Sequence, residues 1–114
     1  MVSERAVGPV TVLDVEGPFT YSGGAGRLRD KVRSLLDQGR RQIVVNLAGV
    51  PHVDSVGLGE LVQAHATTAR QGGQLKVLNA TRRLRDLLVI TKLATVFELY
   101  ESEADALASF TATT

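Results

Sequence analysis

The sequence predicts a single α/β domain over residues 1–114, with a mixed, mostly parallel sheet of four to five strands and about four helices. Three observations lead there. Short runs rich in Val, Ile and Leu recur along the chain, and stretches with apolar residues at helical spacing separate them. Strands alternating with helices of this length need crossover connections, which leave most neighbouring strands parallel. No internal repeat, low-complexity tract or linker divides the chain, and 114 residues suit one core rather than two.

Taken in order, Val2 to Val7 is expected to form a short edge strand ahead of Gly8-Pro9. Val10-Thr11-Val12-Leu13-Asp14-Val15-Glu16 is rich in β-branched residues and stops at Gly17-Pro18, as a strand does. A loop with Tyr21-Ser22-Gly23-Gly24-Ala25-Gly26 leads to Leu28, Val32, Leu35 and Leu36 at helical spacing, and Gly39 suits the stop. Gln42-Ile43-Val44-Val45-Asn46-Leu47 shows no alternation, the pattern of a central strand covered on both faces. The helix after Ser55 carries Leu58, Leu61, Val62, His65, Ala66 and Ala69 on one face and ends before Gly72-Gly73. Leu75-Lys76-Val77-Leu78 is the next strand, and a helix with Leu84, Leu87 and Leu88 begins near Thr81. Val96-Phe97-Glu98-Leu99-Tyr100 reads as a last strand. Ser102 to Phe110 follows as a last helix with Ala106, Leu107 and Phe110 inward, and Ser102 and Asp105 supply its cap-and-acid start.

Composition narrows the function by exclusion. The absence of cysteine rules out disulfides, cysteine-ligated zinc and thiol catalysis. A net charge of +1 gives no global field that steers the protein toward nucleic acid or a membrane. No apolar run approaches the roughly 20 residues that cross a bilayer. Met1 to Arg5 lacks the apolar stretch of a signal peptide, so a soluble, cytoplasmic protein is expected.

Most chemical motifs fail on their spacing. Gly57-Leu58-Gly59 begins like a dinucleotide fingerprint, but Val62 stands where the third glycine belongs, and the acidic ribose ligand expected after the next strand is missing. Gly23-Gly24-Ala25-Gly26 lacks the Gly-Lys-Ser/Thr of a phosphate-binding loop. His52 and His65 show no metal-ligand spacing; His65 falls on an apolar helix face and His52 in a loop. Val53-Asp54-Ser55-Val56-Gly57 has Val53 in place of the first glycine of a nucleophile elbow, and no base accompanies the serine. The arginines of the helices, Arg27, Arg29, Arg33, Arg82, Arg83 and Arg85 among them, are interleaved with Asp30, Asp37 and Asp86, the pattern of a solvated surface and not of a nucleic-acid interface. No catalytic residue, cofactor or metal is expected.

Asp54-Ser55 remains. Both are preferred helix caps, and either alone would serve as a plain cap. Yet only one cap is needed, and the helix then opens with Val56-Gly57-Leu58-Gly59. Each glycine costs up to about 1 kcal/mol relative to Ala in a helix interior. A chain that carries that cost needs its backbone exposed or closely approached there. The loop also follows a central strand, and the carboxyl ends of such strands are the usual site-bearing edge of open α/β sheets.

Asp54-Ser55-Val56-Gly57-Leu58-Gly59, after the strand Ile43-Val44-Val45-Asn46-Leu47, resembles the signature of STAS domains, specifically of bacterial anti-sigma factor antagonists. Gln71-Gly72-Gly73-Gln74-Leu75, Leu84 to Leu93 and Val96-Phe97 extend the similarity over nearly the whole chain. The resemblance implies a STAS-like fold and a partner-switching protein without catalysis of its own. In that family an anti-sigma factor, itself a GHKL-type serine kinase, sequesters a sigma factor, and the unphosphorylated antagonist binds the kinase and frees the sigma factor. The kinase phosphorylates the serine of the motif, which here is Ser55, and a PP2C-like phosphatase reverses the step. The implied docking surface comprises His52, Asp54, Ser55, Val56, Gly57, Leu58 and Gly59, with the glycines admitting the kinase close to the hydroxyl. Better-known members carry an acidic residue shortly after the second strand, on the partner-facing surface; Thr20 occupies that place here.

Two other readings stay open at this point. One is a STAS scaffold subunit of a stressosome-like or lipid-transport complex, with Ser55 as a structural cap. The other is a small-ligand binder or enzyme using the Gly23 to Gly26 loop, which lacks catalytic residues.

Overall fold

A computed structural model of the chain describes residues 1–21 and 25–111. The strands β1 (Val2–Val7), β2 (Val10–Glu16), β3 (Gln42–Gly49), β4 (Gln74–Leu78) and β5 (Leu99–Tyr100) lie side by side in chain order. The Gly8-Pro9 turn makes β1 and β2 an antiparallel hairpin, with Val7 opposite Val10. All later neighbours are parallel, because α1 (Ala25–Asp37), α2 (Ser55–Arg70) and α3 (Arg82–Ile90) carry the chain back between strands. The helix α4 (Glu103–Thr111) closes the fold. The expected mixed, mostly parallel α/β sheet is therefore the observed one, with five strands.

β3 is the middle strand and is covered on both faces, as its unbroken apolar run predicts. Ile43, Val45 and Leu47 pack with Leu28 and Leu35 of α1, Leu58 and Leu61 of α2 and Leu84 and Leu88 of α3. Val44 points the other way, where Val10, Val12 and Leu78 meet Ala106 and Phe110 of α4. Burying each Val, Leu, Ile or Phe contributes about 1.5–3 kcal/mol, so this two-sided core fixes the register of β3. α3 begins at Thr81, whose hydroxyl accepts the Leu84 N–H at 3.2 Å. α4 begins at Ser102, whose hydroxyl accepts the Asp105 N–H at 3.3 Å.

Two elements depart from expectation. On α2, Ala64 and Thr68 are buried with Leu58 and Leu61, following the 3.6-residue period, while Ala69, expected on the inner face, is exposed. The final strand spans Leu99–Tyr100 and not Val96–Tyr100. After α3 the chain turns again: the Val96 N–H donates to Leu93 at 3.0 Å, and Lys92 adopts a positive φ of 61°. Phe97 is drawn under the helices, where its ring meets the edge of His65 at 5.0 Å between centroids. The chain reaches the sheet edge only at Glu98, whose carbonyl accepts the Val77 N–H at 3.0 Å. A bulky apolar side chain was better buried against α2 than left on a strand at the edge. Of the Gly23 to Gly26 loop, on which the alternative reading of a small-ligand binder rests, Gly23 and Gly24 lie outside the described residues.

Candidate functional site

Two connections run in parallel at the carboxyl ends of β2 and β3, and together they build the mouth of α2. The Gly17 N–H donates to the Gly49 carbonyl at 3.0 Å, and the Phe19 N–H donates to the His52 carbonyl at 2.8 Å. Phe19 and Val53 form an isolated parallel bridge, so the strand pairing is briefly resumed beyond the sheet. Phe19, 1% exposed, and Val53, 7% exposed, root both loops in the core. The start of α2 is thus held on the backbone of β2 as well as on its own strand.

Asp54 is the cap of α2. It has extended backbone, and its Oδ1 accepts the Gly57 N–H at 2.9 Å, satisfying one of the amides that a helix start leaves open. Its Oδ2 accepts the Tyr21 N–H at 3.1 Å, which ties the β2–α1 loop to the same carboxylate. The Gly57 amide, followed by the Tyr21 amide, holds the Asp54 carboxyl below its ordinary carboxylate range, with a smaller contribution from nearby His52. Asp54 therefore stays ionised as an acceptor, and both of its oxygens are engaged within the fold.

Ser55 is the first residue of α2 and is exposed. Since Asp54 provides the cap, the Ser55 hydroxyl takes no part in any hydrogen bond among the described residues. The sequence offered two candidate caps, and the structure assigns the role to one of them. The other hydroxyl is left facing solvent.

The two glycines of the first turn have different reasons to be there. A Cβ on Gly57 would stand 1.9 Å from the Phe19 carbonyl oxygen, so only glycine lets the β2–α1 loop cross the helix at this distance. Gly59 is exposed, and a Cβ there would meet nothing within 4 Å. The expectation that both glycines open the site to a partner needs correction for Gly57. It is a buried packing residue that positions Phe19.

Of the other expected site residues, His52 is exposed and Val56 is 39% exposed, both beside Ser55. Leu58, 9% exposed, forms the floor of an adjoining groove. Thr20 is also only 9% exposed and lies beneath the surface, so it shapes the β2–α1 loop from inside. Sequence reasoning missed the far wall of the groove. Arg83 and Leu87 of α3 and Thr91, its C-cap, face Ser55 and Leu58 across an open cleft of about 480 Å³. Their spacing at i, i+4 and i+8 marks one helix face, but nothing in the chain says which neighbour that face borders. Among the described residues no helix is long and apolar enough to cross a membrane.

The model of the STAS domain family matches residues 2–106 of this chain. The anti-sigma-B factor antagonist of Bacillus subtilis (strain 168) is 36% identical over 72 residues, covering 63% of this chain and 65% of that protein, just under two thirds of its length. Among solved structures, a Thermotoga maritima protein provisionally assigned as an anti-sigma factor antagonist superposes with a TM-score of 0.87 at 20% identity, over 95% of this chain and 92% of that one. The Bacillus cell fate determinant SpoIIAA in its phosphorylated form gives 0.76 at 18% identity, over 96% and 99% of the two chains. At these identities the two structural matches establish a common fold.

Proposed function

Because the chain belongs to the STAS family, we propose that it acts as an anti-sigma factor antagonist, a switch without catalysis of its own that is inactivated by phosphorylation at Ser55. In its unphosphorylated state it binds a GHKL-type anti-sigma serine kinase and so releases a sigma factor. The kinase then phosphorylates Ser55, and a PP2C-like phosphatase restores the active form. The setting is the cytoplasm, and no nucleic acid is bound directly.

The observation that carries this reading is the division of labour between Asp54 and Ser55. Asp54 caps α2, and the Ser55 hydroxyl is exposed and unengaged. A serine that served only as a structural cap, as in a pure scaffold subunit, would hold the helix amide that Asp54 holds here. The relatives agree with the reading: one is named for antagonism of an anti-sigma factor, and another has been solved in a phosphorylated form.

A phosphate at Ser55 adds about −1.5 to −2 charge at the start of α2. The free amides and the helix dipole tolerate that charge, so the fold survives modification. In a closely packed complex the same charge is desolvated beside the ionised Asp54. A net penalty of roughly 3–4 kcal/mol, the size typical of an unpaired buried charge, weakens binding by about a few hundredfold. The base and Mg²⁺ ligands for phosphoryl transfer belong to the kinase.

Incubation with the cognate kinase and Mg-ATP is expected to add one phosphate, read by intact mass, to the wild-type protein and none to Ser55→Ala. Phosphate that persists in Ser55→Ala would place the modification elsewhere and sink the assignment.

A further inference from the structure

We propose that Arg83 of α3 receives the phosphate of phosphorylated Ser55 within the same chain, so that the modified protein carries an ion pair across the groove between α2 and α3; the proposal rests on the reading of Ser55 as the modified residue. Ser55 and Arg83 line opposite walls of one open cleft, whose other charged or titratable groups are His52 and Asp54. Asp54 directs both oxygens to backbone amides, so it offers Arg83 no acceptor. Among the described residues the Arg83 guanidinium has no ion pair, whereas nearby arginines are taken. Arg85 pairs with Glu101 at 2.7 Å, and Arg29 of α1 lies 3.6 Å from Glu60 of α2.

The start of α3 is itself unbalanced. Its first turn holds Arg82 and Arg83 and no acidic residue, the reverse of what a helix dipole favours. A negative group arriving beside Arg83 relieves that imbalance. Ser55 opens α2 as Arg83 helps to open α3, so the two helix starts face each other at the carboxyl edge of the sheet.

The modified serine needs such a partner. Phosphoserine carries about −1.5 to −2 charge and three strong acceptor oxygens. At position 55 it stands next to Asp54, a carboxylate that its amide contacts keep ionised. The Gly57 amide is already engaged by Asp54, so the start of α2 cannot balance both anions alone. A guanidinium presents a fork of donors that matches two phosphate oxygens at once. Leu58 and Leu87 line the same cleft, and their apolar surface strengthens the pair over one in open water. Phosphorylation thereby alters both walls of the cleft while leaving the fold in place.

Phosphoserine encoded at position 55 during translation gives the modified full chain without any kinase, and its phosphorus NMR signal reads the second ionisation. A guanidinium beside the phosphate favours the dianion, so the second pKa is expected below its ordinary value of about 6. It should rise by about 0.5 or more in Arg83→Gln and stay nearer the wild-type value in Arg83→Lys. In Arg82→Gln, which loses an equal charge outside the cleft, it should move by less than about 0.2. His52 and Asp54 are retained in all four proteins, so their titrations cancel from the comparison, and circular dichroism checks each fold. Equal values in wild type and Arg83→Gln overturn the pairing. An equal rise in Arg82→Gln also overturns it, by tracing the shift to the overall field. A wild-type protein that the kinase leaves without phosphate at Ser55 sinks the parent reading instead, and the encoded phosphoserine keeps the two failures apart.

Discussion

Lys76 and Ser55 occupy opposite extremes of what a polar side chain does in this fold. Lys76 is 1% exposed, on the α4 face of β4, and everything around it is arranged to satisfy it. Its ammonium donates to Ser109 Oγ at 2.8 Å, lies 3.4 Å from Glu98 and sits 4.4 Å from the centre of the Phe110 ring. Arg5 does similar work nearby, with its guanidinium shared between Asp14 of β2 and Glu103 of α4. Asp14 in turn accepts from Asn46, and Asn46 from Asn79, so the network crosses the sheet. At the mouth of α2 the pattern is reversed: the carboxylate is fully engaged, and the hydroxyl beside it has no partner among the described residues. Networks of this kind hold the domain together, whereas the Ser55 hydroxyl stands outside any of them among the described residues.

Changes on either side of that contrast should have different signatures. The largest effect is expected at Gly57. A Cβ at 1.9 Å from the Phe19 carbonyl oxygen forces the β2–α1 loop off α2, and Gly57→Ala should lose about 3 kcal/mol in denaturant unfolding. A loss below about 0.5 kcal/mol would mean that the two loops are not locked together as described.

On the opposite face, Arg5→Leu should cost about 1 kcal/mol at neutral pH, a small figure because Arg5 and its partners are partly exposed. Its pH dependence is more telling. Arg5 holds the carboxyls of Asp14 and Glu103 below their ordinary values. Groups with lowered pKa contribute stability that is complete above their unfolded values of about 4 and is lost as pH falls through the lower folded ones. Unfolding measured from neutral pH down into that range should therefore show a shallower acid slope in Arg5→Leu than in wild type. Some slope should remain, because the amides of Gly57 and Tyr21 still lower Asp54. Equal slopes would deny the Arg5 network its role.

Gly59 provides the smallest effect and the sharpest control. It lies one turn-position beyond Gly57 in open space, so Gly59→Ala should stabilise the protein by about 0.5–1 kcal/mol through helix propensity alone. Destabilisation there would show that the space beside Gly59 is not open in the folded chain.

These two glycines also show what a sequence can and cannot disclose. The strand pattern of Val10 to Glu16, the unbroken run of β3 and the helical spacing of α1 to α4 were legible, because each is set by local periodicity against one core. The start of α2 at Asp54-Ser55 was legible too, since both residues are preferred caps. The separate reasons for Gly57 and Gly59 were not, because the Phe19 carbonyl comes from a different loop. Nor was the division of capping between Asp54 and Ser55, which depends on rotamer and hydrogen-bond geometry. Phe97 read as strand because its aromatic ring suits a strand as well as a core, and burial against His65 decided between them. The α3 wall of the groove was hidden for a similar reason: periodicity marks a face but not its neighbour.

The central claim is that Ser55 is a switch on an otherwise unperturbed domain. Calorimetric titration of the kinase with the phosphorylated and the unphosphorylated protein, each checked for an intact fold by circular dichroism, tests it most directly. The account predicts the same fold in both and an affinity about a few hundredfold weaker for the phosphorylated form. Equal affinities of two folded forms would contradict it.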